Sequence, residues 1–215
     1  MKNFLSKLNY TKKSKISVDT PLASTLIAKN LVNIFINDKV FEKKLIIICI
    51  GTDRSTGDSL GPLVGSRLKN KLSKKSKVYG CIVEPVHAVN LNETLSNIKK
   101  EHIKPYIIAV DASLGNSKNV GNINVEKGSL KPGTGVNKTL PEVGDCHITG
   151  TVNVGGFMEY MVLQNTRLKT VIPLSIIISK GVNLAVNYIT AYKDKDKDRD
   201  RDADYSNKNL SPLKS

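Results

Sequence analysis

The chain has 215 residues, 40% of them hydrophobic, so it is long enough to bury the core of one well-packed domain. Its formal net charge is +14, but the lysines are scattered and not interleaved with aromatic residues, which disfavours specific nucleic-acid binding. Three cysteines cannot all pair with one another, and no signal peptide is recognisable. The longest apolar runs fall short of the roughly 20 residues that a membrane span needs. We therefore expect a cytoplasmic protein without a membrane partner.

The first predicted elements are a helix and a buried strand that follow a basic segment. Residues 1–18 are rich in lysine and serine without periodicity, and we expect them to form a flexible arm. Thr20 and Pro21 are typical of a helix start, and apolar residues then recur at helical spacing as far as Phe35. The fully apolar run at 45–50 predicts a central parallel strand that is buried on both faces.

Helices and strands alternate in the middle of the chain. The pattern predicts a helix at 59–72, a strand at 78–83, a helix at 91–98 and a strand at 106–110. Such alternation is typical of βαβ units with right-handed crossovers. The sequence therefore predicts an α/β fold with a mostly parallel sheet.

The next part of the chain contains a long loop between two predicted strands. Residues 121–126 are predicted as an edge strand and residues 146–153 as a further strand. Between them, residues 129–145 are predicted as a long ordered loop, and this unusual length suggests a role at a site. Helices are expected at 157–168 and 172–192.

The end of the chain has a different character. Beyond Tyr192, opposite charges alternate without an apolar residue to anchor them. This composition predicts a solvated, disordered tail over 193–215, with a charge-alternating helix as the alternative. We therefore expect a single domain over 19–192.

Two aspartates are candidates for catalysis. If the first three predicted strands take the order 2-1-3, the strands at 45–50 and 106–110 are neighbours about 4.8 Å apart. Asp58 then begins the helix after the first strand, and Asp111 ends the second. Two such carboxyl groups share a proton and can together activate water and protonate a leaving amine. The alternatives are that Asp58 caps its helix and that Asp111 forms an Asx turn.

Other residues near these strand ends could bind ligands. The loop at 51–61 lacks the lysine of a P-loop and the glycine spacing of a dinucleotide fingerprint, so a phosphate site is weakly indicated. Arg54 could bind an anionic group such as a peptide carboxylate, or be a solvated arginine. His87 or His147 could complete a metal site with the aspartates, although a lone histidine is usually structural.

Several segments, taken in order, resemble the sporulation protein YyaC family of endospore-forming bacteria. Within residues 44–190 these segments are GTDRSTGDSLGP, EPVHAVNL, IIAVDASLG, LKPGTGVNKTLPEVGD and ITGTVNVGGFMEYMVLQNTRL. That family is similar, more distantly, to the germination protease that degrades small acid-soluble spore proteins and to hydrogenase-maturation endopeptidases. The resemblance implies a three-layer α/β/α sandwich with a phosphorylase-like sheet.

The resemblance also implies roles for individual residues. Asp58, in the sequence DSLGP, matches a motif that supplies one essential aspartate of the germination protease, and Asp111, in VDA, matches the second. In the hydrogenase-maturation branch, a later histidine joins two carboxylates around a metal, and His147 is the nearest positional candidate here. No cofactor is implied for the protease branch, whereas a divalent metal is possible in the other.

We expect substrate contacts from five further residues. They are Arg54, Glu84, Gly133, Gly135 and Asn137. The expected function is that of a sporulation-associated endopeptidase that acts on proteins or peptides, for example small acid-soluble spore proteins, in the forespore or mother-cell cytoplasm. The alternatives are a non-catalytic sporulation factor that binds a partner protein through the same crevice and a metal-dependent maturation-type peptidase. The sequence leaves the oligomeric state open.

Overall fold

The computed structural model describes residues 14–72, 76–133 and 140–208, and of residues 192–208 it describes the backbone alone. The strands are β1 (Ser14–Ser17), β2 (Leu45–Cys49), β3 (Ser76–Tyr79), β4 (Tyr106–Gly115), β5 (Asn122–Lys127) and β6 (Cys146–Val154). The α-helices are α1 (Ala23–Asn37), α2 (Leu60–Leu68), α3 (Leu91–Glu101), α4 (Glu159–Gln164) and α5 (Leu168–Lys208).

The six strands form one mixed sheet in the order β1-β5-β6-β4-β2-β3. The pairs β3–β2, β2–β4 and β4–β6 are parallel, whereas β5 runs antiparallel to both of its neighbours. The predicted neighbourhood of the first three parallel strands is therefore confirmed, with β2 between β3 and β4.

Helices cover both faces of this sheet because its central strands are apolar on both sides. Ile47 of β2 packs into a core cluster with residues of α1, α2 and α5. Ile46 and Ile48, which point the other way, pack into a second cluster with Leu91 and Ile98 of α3. The result is the predicted α/β/α sandwich with a mostly parallel sheet.

Two glycines hold α2 directly against the sheet. A Cβ at Gly61 would overlap the backbone oxygen of Ile50, and one at Gly65 would overlap the backbone oxygen of Gly80. Only glycine permits this approach, so the position of α2 over the ends of β2 and β3 is fixed by the backbone itself.

The amino-terminal part of the fold differs from expectation in two places. Ser14–Ser17 form edge strand β1, so the prediction of a flexible arm is wrong for these residues; residues 1–13 lie outside the described part. The first helix begins at Ala23 and not after Thr20, because Leu22 adopts a left-handed conformation with φ 60° and interrupts the helical backbone.

The predicted elements in the middle of the chain exist but differ in extent. α2 ends at Leu68 rather than at residue 72, and α4 spans Glu159–Gln164 rather than residues 157–168. β5 is an inner strand rather than an edge strand, because β1 pairs with its outer side.

The last helix is longer than predicted. Its backbone continues through Lys208, so the disordered tail predicted from residue 193 is wrong up to that point and the charge-alternating helix is the better description. By length and composition, the 24 residues of Leu168–Ala191, with a mean hydropathy of 1.4, could also cross a membrane, contrary to expectation. Half of this stretch is buried, and the helix packs along α1 and α2, as expected of a helix that covers one face of the sheet.

Candidate active site

Asp58 lies in a tightly folded loop between β2 and α2. The loop leaves β2 at Gly51, where a Cβ would overlap the backbone oxygen of Asp58, and the Thr52 N–H donates to that same oxygen at 3.1 Å. Asp58 itself sits in a 3-10 turn, Gly57–Ser59, and no side chain caps the start of α2. The helix-cap alternative is therefore wrong.

Asp111 lies within β4 and not at its end. The strand continues to Gly115, so the predicted end at this residue is wrong. Asp111 pairs with Thr149 of β6 inside the sheet, and the residue is only 7% exposed. Its Oδ1 accepts the N–H of Ala112 at 2.8 Å, a contact to the next residue of the strand that does not form an Asx turn.

The carboxyl group of Asp58 is close enough to affect the ionisation of Asp111. Burial, and then the negative charge of Asp58, raise the pKa of Asp111 well above its ordinary value. Burial also raises the pKa of Asp58, while a hydrogen bond from the Thr52 backbone and the nearby His87 act in the opposite direction. Such a pair retains one proton at a pH where an ordinary aspartate has lost it, and Asp111 is the member favoured to hold it.

His87 flanks this pair, as its position after the second predicted strand indicates. The preceding residue, Val86, forms a parallel bridge with Ile50 and accepts the Gly51 N–H at 2.8 Å. The Nδ1 atom of His87 accepts the Val89 N–H at 3.3 Å, which leaves Nε2 as the protonated nitrogen in the neutral ring. The histidine can therefore donate a hydrogen bond beside Asp58.

His147 does not join the aspartates. It lies on β6 opposite Ala109 of β4, and its Nδ1 donates to the backbone oxygen of Gly128 at 2.9 Å. Across the described ranges, no group of three or more His, Cys, Asp or Glu side chains is placed to hold a metal ion. The metal site expected from Asp58, Asp111 and His147 is thus not assembled.

The structure places two of the predicted substrate contacts at the same end of the sheet as the aspartates. Arg54 is exposed in the loop that leads to Asp58. Glu84 is exposed in the loop after β3, where it forms an ion pair of 2.6 Å with Lys69. A substrate could reach both side chains, but Glu84 would have to exchange its present partner.

The long loop before β6 is anchored elsewhere. The Ile107 N–H donates to Oδ2 of Asp145 at 2.7 Å, which ties the end of the loop to the amino end of β4. Leu130 and Leu140 of this loop pack with the cluster beneath α3. Gly133 follows in the same loop, whereas Gly135 and Asn137 lie within 134–139, outside the described residues.

An apolar groove near the site was missed by reasoning from sequence. It lies between the end of β6 and α4, has a volume of about 490 Å³, and takes its apolar lining from Val154, Phe157, Met161 and Val162. We call it the β6–α4 groove. The sequence feature that could have indicated this groove is the segment GGFMEYM. Its large apolar residues follow directly after a glycine pair and are exposed, not buried beneath a helix.

The comparisons with known proteins assign the family. A family described as "Protein of unknown function (DUF1256)" matches residues 15–181. The chain belongs to this family. It is 54% identical, over 146 residues, to the uncharacterized protein YyaC of Bacillus subtilis (strain 168), an alignment that covers 68% of this chain and 71% of YyaC. The resemblance to the YyaC family is therefore confirmed.

A solved structure similar to this chain is the crystal structure of the [NiFe] hydrogenase maturation protease HycI from Thermococcus kodakarensis KOD1. The two chains are 15% identical, with a TM-score of 0.44, and the match covers 71% of this chain and 99% of HycI.

Proposed function

We propose that this protein is an endopeptidase that hydrolyses peptide bonds with Asp58 and Asp111. The observation that carries the proposal is a buried carboxyl group on β4, just beyond the end of the neighbouring parallel strand β2, whose pKa is raised by a second carboxyl group in the loop after β2. Ligands of α/β sheets collect at this end. Perturbed carboxyl pairs there are candidates for acid and base catalysis.

The two aspartates take different roles in this proposal. Ionised Asp58 accepts a proton from a water molecule, whose oxygen attacks the carbonyl carbon of the scissile bond. Protonated Asp111, whose pKa is raised further, donates its proton to the leaving amine as the C–N bond breaks. Each such positioned group typically contributes about 10²–10⁴-fold to the rate, provided that the peptide is bound and oriented.

The choice of substrate comes from the motifs and not from the geometry. The sequences around Asp58 and Asp111 resemble those that supply the essential aspartates of the germination protease. We therefore place the activity in the cytoplasm of a spore-forming cell, in the forespore or the mother cell, with small acid-soluble spore proteins as the first substrates to test.

A direct assay incubates the full-length chain with purified small acid-soluble spore proteins and follows cleavage by mass spectrometry. Asp58→Asn and Asp111→Asn should each abolish cleavage while the circular dichroism spectrum stays unchanged. Asp53→Asn is the matched control, because Asp53 is exposed in the same loop and its substitution removes the same charge. Cleavage that survives in Asp58→Asn or Asp111→Asn would refute the proposed roles.

A further inference from the structure

Exposed apolar side chains are concentrated beside the candidate site. Within residues 154–161, Phe157 is 81% exposed and its neighbours are 42–58% exposed; these are Val154, Met158, Tyr160 and Met161. Isolated exposed apolar residues are ordinary on a protein surface, but a contiguous group next to a groove is typical of a binding site. Methionine side chains are also flexible enough to adapt to a partner.

The segment that lines the groove also packs on the turn that carries Asp58. A Cβ at Gly57 would lie 2.8 Å from Cδ2 of Leu163 and 2.9 Å from Oγ1 of Thr166, so the segment that includes α4 packs directly on that turn. On the other side, Asn153 of the groove pairs with Leu114, three residues beyond Asp111 on β4. At about 3.3 Å per residue, the groove begins about 10 Å from Asp111.

At this end of the sheet, three exposed cations outnumber the exposed carboxylate of Asp53 in the described loops after β2, β4 and α4, and this excess favours an acidic partner. Arg54, Lys118 and Arg167 are exposed in the loops that follow β2, β4 and α4, and none forms an ion pair within the part of the chain that the structure describes. The carboxyl group of Glu159, in contrast, accepts the N–H of Gly156. These cations add to a formal net charge of +14.

We infer that the β6–α4 groove is a substrate subsite that binds a large apolar side chain of an acidic polypeptide, about three residues from the bond held at Asp58 and Asp111. This inference rests on the proposed function, since the bound polypeptide is its substrate. An extended chain that rises about 3.3 Å per residue spans the 10 Å between aspartates and groove with three residues. Arg54, Lys118 and Arg167 form ion pairs with acidic side chains of the bound polypeptide.

An open groove favours a polypeptide over a lipid bilayer. Its volume of about 490 Å³ accommodates a few side chains. A face that inserts into lipid needs no groove.

The test measures binding separately from cleavage. The probe is a positional-scanning pool of fluorescein-labelled, glutamate-rich decapeptides, added to the full-length Asp111→Asn protein and followed by fluorescence anisotropy. Pools with Leu, Met or Phe fixed at one position should bind about tenfold tighter or more than pools with Ser there, as expected for burial of a large apolar side chain. A double substitution, Phe157→Ala with Met161→Ala, should reduce this preference to less than about threefold.

The control is Ile103→Ala, because Ile103 is 94% exposed between α3 and β4, away from the groove, and should leave the preference intact. The inference is overturned if no pool shows an apolar preference or if the double variant retains it. It is equally overturned if the double substitution abolishes only self-association in sedimentation, or only binding to phosphatidylglycerol vesicles. If the pools show the apolar preference but the unaltered protein cleaves none of the proposed substrates, the groove remains a polypeptide-binding site and the proposed endopeptidase activity is refuted.

Discussion

Replacement of Asp111 by asparagine should stabilise the folded protein while it abolishes catalysis. The side chain is buried, and burial together with the charge of Asp58 raises its pKa well above the ordinary value. Asparagine keeps an oxygen that can accept the Ala112 N–H, now at 2.8 Å, and it removes the group whose ionisation the site opposes.

The magnitude follows from proton linkage. An aspartate in the unfolded chain loses its proton near pH 3.9, whereas folded Asp111 retains it to a higher pH. Between these two pKa values the folded state holds one more proton than the unfolded state. The free energy of unfolding of the unaltered protein should therefore fall, relative to Asp111→Asn, by about 1.4 kcal/mol per pH unit as pH rises through this window. Above the folded pKa the difference should stay constant.

Urea denaturation of both proteins, repeated at intervals between pH 4 and 8, measures this difference. Asp58→Asn should narrow the pH range over which the ionisation of Asp111 changes the free energy of unfolding. The reason is that it removes the negative charge that helps to raise the pKa of Asp111. Asp53→Asn, at an exposed position, controls for the change in net charge. If the stabilities of the unaltered protein and Asp111→Asn run parallel over the whole range, Asp111 ionises normally and the proton-sharing pair does not exist.

Two further predictions concern packing and the thiols. Gly65→Ala places a Cβ where it overlaps the Gly80 carbonyl oxygen, so it should destabilise the protein by roughly 1–3 kcal/mol or more, measurable in the same urea titrations; unchanged stability would contradict the close contact between α2 and the sheet. Cys49 and Cys146 should react with Ellman's reagent only after unfolding, because both are fully buried and burial raises the pKa of Cys146 to about 12; rapid labelling of the native protein would contradict their burial.

The strands that position the site could be predicted because their signals are unambiguous. β2 is a continuous apolar run that is buried on both faces, and β4 begins as another. The strand between them in sequence was less well placed. The apolar pattern favoured 78–83, but β3 ends at Tyr79 because Gly80 turns the backbone away with φ 84°, so that Val83 is 87% exposed. A run of apolar letters does not reveal such a turn.

The predicted start of α1 was wrong for a related reason. Thr20 and Pro21 have the expected residue types for a helix start, yet the backbone first makes a turn in which the Ala23 N–H donates to Thr20 at 3.1 Å. Leu22 adopts a left-handed conformation, which costs a non-glycine residue free energy and which its residue type does not indicate. Local residue preferences therefore placed the start of the helix too early.

The direction of β5 explains which site residues could be predicted and which could not. The aspartate pair depends only on the order of parallel strands, and parallel strands deliver their carboxyl ends to one edge of the sheet. The edge of the sheet at which the residues after β5 emerge depends on the direction of β5, and the sequence of β5 does not indicate that direction. Because β5 is antiparallel to β6, the loop after it emerges at the amino ends of β4 and β6, where Asp145 fastens it to Ile107. The loop expected to hold the substrate therefore starts from the opposite edge, and the segment after β6, which does emerge beside Asp111, supplies the groove instead.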